Sequence, residues 1–302
     1  MKIIVTGASG FVGQNLTKYL ELNTYIVKGV SLRTDSWLDL IKSDFDAIIH
    51  LAGKAHDTSN TSSDNEYFEV NRDLTIDLYN TFLASECKDF FYFSSVKAVA
   101  DTVDGVLEED VTGKPFTAYG KSKLEAEQYL LSQSLPEGKR LFIIRPCMIH
   151  GPGNKGNLNL LYKVVKKRLP WPLASFHNER SFLCVDNLSY LIKAMLETKE
   201  VSSGVYNFAD DEPLSTNDLV ILISQTLGRK PKLLHLSSSL IKTAVKVGDL
   251  LPLPLNSERL KKLTESYVVS NKKIKNTLGL SKLPISTKEG LIRTIQSFNN
   301  ND

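Results

Sequence analysis

A glycine-rich loop near the amino terminus constrains the fold of this chain more than any other feature. Residues 2–5 form a short apolar run, and residues 6–13 (TGASGFVG) follow it directly. Residues 14–20 then show helical periodicity, and residues 25–30 form a second strand-like run. A buried strand, a glycine loop, a helix and a further strand are typical of the first unit of a parallel α/β sheet.

The glycines of this loop have a chemical use. A cofactor pyrophosphate binds against backbone N–H groups at a helix N-terminus, where a Cβ atom would block its approach. Here the glycines are three residues apart, which differs from the G-x-G-x-x-G spacing of the common dinucleotide fingerprint. The loop predicts a dinucleotide site with contacts from Gly7, Ser9, Gly10, Phe11, Val12 and Gly13.

The rest of the chain extends the same pattern. Strand-like runs at 46–52, 90–94 and 141–145 alternate with helical segments around 70–84 and 122–132. This alternation predicts an α/β fold, a Rossmann-type doubly wound parallel sheet with a smaller C-terminal substrate-binding part. We expect residues 1–165, with returning segments near 182–225, to form the cofactor domain, and residues 166–302 to be mainly substrate-binding.

Composition narrows the function classes. The net charge is only +3, and the densest basic run, Lys163 to Arg168, has helical periodicity and is interpreted as a solvated helix face, so no nucleic-acid partner is expected. Three separated cysteines offer no metal-ligand spacing and suggest cytoplasmic thiols. No apolar run is long enough to span a membrane, and the amphipathic stretch 239–251 is expected to pack on its own core rather than touch a bilayer or a partner.

Tyr119 and Lys123 are the second informative pair. They lie four residues apart at the start of a predicted helix and therefore share a face. A nearby ammonium favours tyrosinate, so we expect Lys123 to lower the pKa of Tyr119 and to let it exchange a proton with a substrate oxygen. Lys123 can also hydrogen-bond a cofactor ribose. Ser94 and Ser95, at the end of the strand 90–94, place hydroxyl groups where a substrate carbonyl would lie.

Together these segments resemble the extended short-chain dehydrogenase/reductases, in particular the NAD(P)-dependent sugar-nucleotide epimerase/dehydratase family. The resemblance spans nearly the whole chain and includes residues 6–13, 50–53, 70–71, 93–96, 119–123, 145–153 and 180–187. It implies Ser95, Tyr119 and Lys123 as catalytic residues, and Asn71 as an active-site helix residue, although a helix cap or kink is an alternative. It further implies cofactor contacts from Leu51, Ala52, Gly53, Tyr119, Lys123 and Pro146, and substrate contacts from Ser94, Lys97, Asn157 and Arg180. For Arg180 a structural ion pair is the alternative. A homodimer through helices around 74–82 and 122–130 is also implied.

The second strand bears on the choice of cofactor. NAD enzymes place an acidic residue at its end to bind the ribose 2′-hydroxyl, whereas NADP enzymes place an arginine for the 2′-phosphate. Here Ser31 and Arg33 follow the strand, which favours NADP(H). Asp35 is the acid if the strand is longer, so NAD(H) remains possible.

The reaction is narrowed by the residues after Ser95. Family 4,6-dehydratases resemble one another in a Thr-Asp-Glu sequence at this place, and this chain has Ser95-Val96-Lys97. The NADP(H) preference favours a 4-keto reductase, and residues 177–188 and 258–264 resemble the branch that reduces UDP-4-keto-6-deoxy-N-acetylhexosamines for surface polysaccharides. Val99 and His150 depart from this branch, since relatives have tyrosine at both positions. Two alternatives stay open: a UDP-sugar 4-epimerase with tightly held NAD, and a noncatalytic NADP-sensing or scaffold protein.

Overall fold

Six parallel strands form the central sheet of the computed structural model, which describes residues 1–33, 37–41, 44–54, 63–154, 156–250 and 256–299. The strands are β1 (Lys2–Thr6), β2 (Ile26–Val30), β3 (Ala47–His50), β4 (Asp89–Phe93), β5 (Val106–Leu107), β6 (Arg140–Pro146), β7 (Met148–His150), β8 (Phe182–Cys184), β9 (Gly204–Phe208) and β10 (Val268–Val269). The helices are α1 (Phe11–Leu22), α2 (Trp37–Ile41), α3 (Asp64–Phe68), α4 (Leu74–Leu83), α5 (Ala118–Ser132), α6 (Asn157–Lys166), α7 (Val185–Glu197), α8 (Thr216–Thr226), α9 (Ser238–Leu250), α10 (Ser257–Thr264), α11 (Lys272–Thr277) and α12 (Thr287–Asn299). The predicted fold class is confirmed.

Both faces of the sheet are covered by helices, which explains why its inner strands are mostly apolar, whereas the edge strand β2 contains the exposed Lys28. On one face, Ile3, Val5 and Ile49 pack with α1 and α7. On the other face, Ile4 and Ile48 pack with α4 and α5.

The order of the strands creates the binding crevice. The sheet runs β2-β1-β3-β4-β6-β9, so the chain leaves β1 towards one edge and later crosses to β3 on the other side of β1. Ligands of open parallel sheets bind at such a reversal, beyond the carboxyl ends of the strands. The glycine loop after β1 and the loop after β3 both lie at this point.

A smaller lobe follows, with its own apolar core of side chains from α6, α8, α9, α10 and α12. The returning segment near 182–225 divides between the two parts: β9 completes the sheet and α7 packs against α1, whereas α8 packs in the small lobe. Ile241 and Val245 of α9 are buried in this lobe, as expected for a helix that packs on its own core.

The three cysteines are buried free thiols. Burial raises the pKa of Cys87 and of Cys184 to about 12, so both thiols are protonated at neutral pH. Within the described ranges, no three His, Cys, Asp or Glu side chains are grouped to hold a metal ion. A search of the same residues found no helix with the length and apolarity that a bilayer crossing requires.

Candidate active site

Two glycines shape the glycine loop, because a side chain at either position would displace neighbouring backbone atoms. Gly7 has a φ of +69°, and a Cβ there would lie 2.7 Å from the backbone nitrogen of Ala52 in the loop after β3. A Cβ on Gly13 would lie 2.2 Å from the carbonyl oxygen of Gly7. Because no described side chain caps the start of α1 after Gly10, its first-turn N–H groups face a ligand position. This cradle fits a dinucleotide pyrophosphate.

Three further predicted cofactor residues lie in this loop and in the first turn of α1. Ser9 is exposed within the turn, while Phe11 and Val12 begin α1. The Phe11 ring lies close to Gly151, whose added Cβ would be 3.3 Å from the ring edge. The glycine loop and the segment after β7 therefore lie next to each other.

The loop after β3, which contains the predicted cofactor residues Leu51, Ala52 and Gly53, is held by Asn71. The Lys54 N–H donates to Asn71 Oδ1 at 2.7 Å, and Asn71 Nδ2 donates to the Lys54 carbonyl at 3.1 Å and to Ser122 Oγ at 3.2 Å. Asn71 lies in a π-helical turn, Glu69–Asp73, between α3 and α4. Such turns are frequent at functional sites. The side chain therefore connects the cofactor loop to the helix that carries Tyr119.

Tyr119 and Lys123 lie in the first two turns of α5, and Tyr119 contacts Ser95. The Thr117 hydroxyl caps this helix by accepting from the Gly120 N–H at 3.1 Å. A Cβ on Gly120 would lie 2.5 Å from the Lys97 carbonyl oxygen, so glycine allows α5 to approach the turn that follows Ser95. A hydrogen bond joins the side chains of Tyr119 and Ser95. The structure thus joins Tyr119 to Ser95, and Lys123 follows Tyr119 one helical turn later.

We expected Lys123 to lower the pKa of Tyr119, and this expectation is wrong. Burial raises the pKa of Tyr119, against the lowering effect of its hydrogen bond with Ser95. Lys123 Nζ donates to the Phe93 carbonyl at 2.9 Å and lies close to Gly53, where an added Cβ would be 3.2 Å away. Burial lowers the pKa of Lys123 to about 8. Tyr119 is therefore protonated at neutral pH and suited to donate a proton.

The predicted substrate contact of Ser94 is wrong. We expected both serines to face a substrate, but the Ser94 hydroxyl donates to Glu127 Oε1. Glu127 is in turn paired with Arg145, with 2.5 Å between Oε2 and Nη2, and both side chains are buried. Adjacent residues of a strand point to opposite sides, so only one serine of this pair can reach Tyr119. The sequence analysis missed this ion pair, although Glu127 lies four residues after Lys123 on the same helix.

The predicted substrate residues Lys97 and Arg180 are neighbours, and Glu265 is close enough to influence both charges. Lys97 Nζ lies 4.4 Å from the centre of the Tyr267 ring and donates to the Asp101 carbonyl at 2.7 Å. Arg180 donates to the Lys262 carbonyl, and no described carboxylate lies within ion-pair distance of its guanidinium. Burial lowers the pKa of both groups. Tyr267, which the sequence analysis missed, has no motif that could have identified it.

The other predicted contacts lie at the edge of the crevice. Ser31 and Arg33 are exposed directly after β2, and the Arg33 N–H donates to Ser31 Oγ at 3.4 Å. Pro146 ends β6. Asn157 begins α6, but its side chain lies outside the described residues, as does Asp35.

Comparisons with known proteins agree on one family. The profile described as the NAD dependent epimerase/dehydratase family matches residues 3–209. A UDP-glucose 4-epimerase of Vibrio cholerae is 30% identical over 318 residues, which cover 98% of this chain and 95% of that protein. An N-acetyl-alpha-D-glucosaminyl-diphospho-ditrans,octacis-undecaprenol 4-epimerase of Escherichia coli O157:H7 is 28% identical and covers 97% and 94%. The structure of RMD from Pseudomonas aeruginosa, complexed with NADPH, superimposes with a TM-score of 0.75 at 20% identity and covers 99% of both chains.

Proposed function

Because the chain belongs to the NAD-dependent epimerase/dehydratase family of extended short-chain dehydrogenase/reductases, we propose that it reduces the 4-keto group of a nucleotide-activated sugar. The substrate class is a UDP-4-keto-6-deoxy-N-acetylhexosamine, a precursor of surface polysaccharide, and the preferred cofactor is NADP(H). We expect the reaction to take place in the cytoplasm.

The observation that carries this proposal is the carboxyl end of β2. Ser31 and Arg33 stand there, exposed beside the glycine loop, where an NAD enzyme has an acidic residue. An arginine suits the ribose 2′-phosphate, because its guanidinium donates several hydrogen bonds to phosphate oxygens. A reductase exchanges its cofactor at each turnover, and an exchangeable NADPH fits that requirement.

The site residues then divide the work of the reaction. When bound, the cofactor supplies a hydride to C4 of the sugar. Tyr119 donates its hydroxyl proton to the oxygen on C4, while Ser95 hydrogen-bonds the same oxygen and holds it in line. Lys123, whose Nζ donates to the Phe93 carbonyl, contributes positive charge and would hydrogen-bond a cofactor ribose. Lys97, Asn157 and Arg180 are proposed to contact the diphosphate and the sugar.

A 4-epimerase is the second candidate, and the two relatives matched over nearly their full length favour it. One of these relatives is named for a nucleotide sugar and the other for a lipid-linked sugar diphosphate, so either could be the substrate of this alternative. An epimerase retains NAD and returns the same hydride to the sugar. A noncatalytic sensor would not require Ser95, Tyr119 and Lys123.

A homodimer through α4 and α5 completes the proposal. These helices pack against each other, and Leu78 and Phe82 of α4 and Leu130 of α5 are buried in the core below the sheet. Their outer surfaces would form the contact.

A cofactor titration separates the two candidates. We expect purified protein to contain no retained NAD and to bind NADPH about tenfold to a hundredfold more tightly than NADH, measured by nicotinamide fluorescence. The substitution Arg33→Ala should remove most of this preference. The matched substitution Lys28→Ala, at an exposed lysine of β2, should leave it unchanged. Tightly retained NAD and equal affinity for the two reduced cofactors would instead support the epimerase.

A further inference from the structure

The small lobe carries a strongly basic surface that the proposed reaction does not use. We call it the basic face and define it by residues 163–171, residues 229–237 and helix α9. Nine lysines and arginines lie in these three segments, against one acidic residue, Asp249. The other 28 basic residues of the chain are outnumbered by the other 33 acidic residues. The excess positive charge of the molecule is therefore concentrated in these three segments.

The three segments are neighbours in the structure. The Trp171 N–H donates to the Lys232 carbonyl at 2.8 Å, and the Leu234 N–H donates to the Trp171 carbonyl at 2.9 Å. Arg229 Nη1 donates to the Lys166 carbonyl at 2.6 Å. Helix α9 follows directly, with its buried side chains in the same apolar core as Trp171.

The basic side chains of this face point mostly to solvent. Lys163, Lys167 and Arg168 are exposed at the end of α6 and in the loop after it. The second segment adds Lys230 and Lys232, which are also exposed. From α9 come Lys242 and Lys246, which are exposed and directly follow the buried residues Ile241 and Val245. Asp249, near the end of α9, accepts two hydrogen bonds from Ser257, at 2.8 Å and 2.6 Å. Its carboxylate is therefore bound to Ser257 and does not pair with Lys242 or Lys246.

Leucines are exposed among these charges. Leu169 is 53% exposed, Leu234 43%, Leu236 45% and Leu240 70%. Leu234 and Leu236 alternate with Leu233, which packs against the core, so both project outwards from the extended segment. Protein surfaces that lie on a membrane combine lysines with projecting leucines. The leucines enter the interface between headgroups and acyl chains, while the lysines bind the anionic headgroups.

We propose that the basic face binds the surface of an anionic phospholipid bilayer. The lysines provide attraction to the headgroups, and Leu236 and Leu240 enter the interface between headgroups and acyl chains. The binding is peripheral and reversible. It does not depend on which of the two candidate reactions the enzyme catalyses.

The test is co-sedimentation of the intact protein with vesicles. We expect binding to vesicles of phosphatidylglycerol and phosphatidylethanolamine in equal amounts, and no binding to vesicles of phosphatidylcholine alone. Binding should fall steeply when the salt concentration rises from about 50 to about 500 mM, because exposed charges are screened over a few ångströms at high salt. Absence of binding to the anionic vesicles, or equal binding to both kinds, would overturn the proposal.

Lysine substitutions test whether the basic face is the surface that binds the bilayer. Replacing Lys230, Lys232, Lys242 and Lys246 by glutamine should weaken binding to anionic vesicles by at least about tenfold. The control replaces four exposed lysines of other surfaces, Lys18, Lys88, Lys199 and Lys282, by glutamine and so removes the same charge. Equal loss of binding in both variants would mean that only net charge matters and would contradict the proposal.

A second variant tests the leucines. The double change Leu236→Ser and Leu240→Ser should reduce the binding that persists at high salt, whereas Leu22→Ser with Leu38→Ser, at leucines 75% and 39% exposed elsewhere, should not. NADPH binding in solution should be unchanged in all four variants, which shows that they fold and separates this test from that of the reaction. Retention by RNA or an acidic protein without binding to anionic vesicles would assign the face to another partner and refute the bilayer.

Discussion

At the scale of single residues, α5 carries two tyrosines with different surroundings. Tyr119 lies at the start of the helix and shares a hydrogen bond with Ser95. Tyr129 lies ten residues later, and its hydroxyl donates to Asn80 Oδ1 at 3.0 Å, away from the crevice. Our proposal assigns proton transfer to Tyr119 and not to Tyr129, and the comparison between the two tyrosines provides a test.

The substitution Tyr119→Phe removes the proton donor and keeps the ring. We expect kcat to fall by about 10²- to 10⁴-fold, the usual contribution of a positioned general acid, with little change in NADPH affinity. Tyr129→Phe removes a hydroxyl from the same helix and should leave kcat within about twofold. A Tyr119→Phe enzyme with normal kcat would show that the proton comes from another group.

The pKa of Lys123 predicts a pH dependence. The structure places this pKa at about 8, so Lys123 carries a positive charge below that pH and loses it above. Reduction also consumes a proton. We therefore expect kcat/KM for reduction to decline as the pH rises above about 8. In a Lys123→Arg variant the charge persists to high pH, so the decline should shift upward even if the rate is lower. A profile identical in the two enzymes would assign the decline to another group.

Single residues also show which contacts the sequence alone does not predict. Spacing identifies Tyr119 and Lys123 as a pair, because residues four apart share a helix face. Spacing does not say which acceptor Lys123 reaches. Its partner is the carbonyl of Phe93, thirty residues away on β4, and this contact exists only after the sheet and α5 have packed. The same packing takes the Ser94 hydroxyl to Glu127.

At the scale of elements, the regular strands were predictable to within a few residues. The predicted runs at 90–94 and 141–145 are β4, Asp89–Phe93, and β6, Arg140–Pro146. Such runs are visible in the sequence because strands buried on both faces are mostly apolar. The π-helical turn around Asn71 was not predictable, since it interrupts a continuous helical pattern without a glycine or proline to mark it.

Helix α5 is anchored to the sheet by the buried pair of Glu127 and Arg145. Removing one partner leaves an unpaired charge in the interior, which typically costs about 3–5 kcal/mol. We expect Glu127→Gln to lower the free energy of unfolding by about that amount, measured by urea denaturation. Lys193→Gln removes one member of the exposed pair with Glu197 on α7 and should cost less than about 0.5 kcal/mol. Equal losses in the two variants would show that the buried pair does not anchor the helix.

At the scale of the whole molecule, the strand order determines where the chemistry takes place. The reversal between β1 and β3 puts the glycine loop, Gly53 and the start of α5 beside one crevice. The sequence predicts this arrangement because alternating strands and helices allow few topologies. The small lobe was predicted only as a part that covers the substrate, since its short strands and helices have no comparable regularity.

The measurement that tests the central claim most directly follows the hydride. The protein is incubated with a UDP-4-keto-6-deoxy-N-acetylhexosamine and NADPH that carries deuterium at both C4 positions of the nicotinamide, and the product is analysed by mass spectrometry and NMR. We predict one deuterium at C4 of the sugar for each NADPH consumed. No label in the sugar, together with interconversion of UDP-sugar C4 epimers by enzyme that retains NAD, would contradict the account.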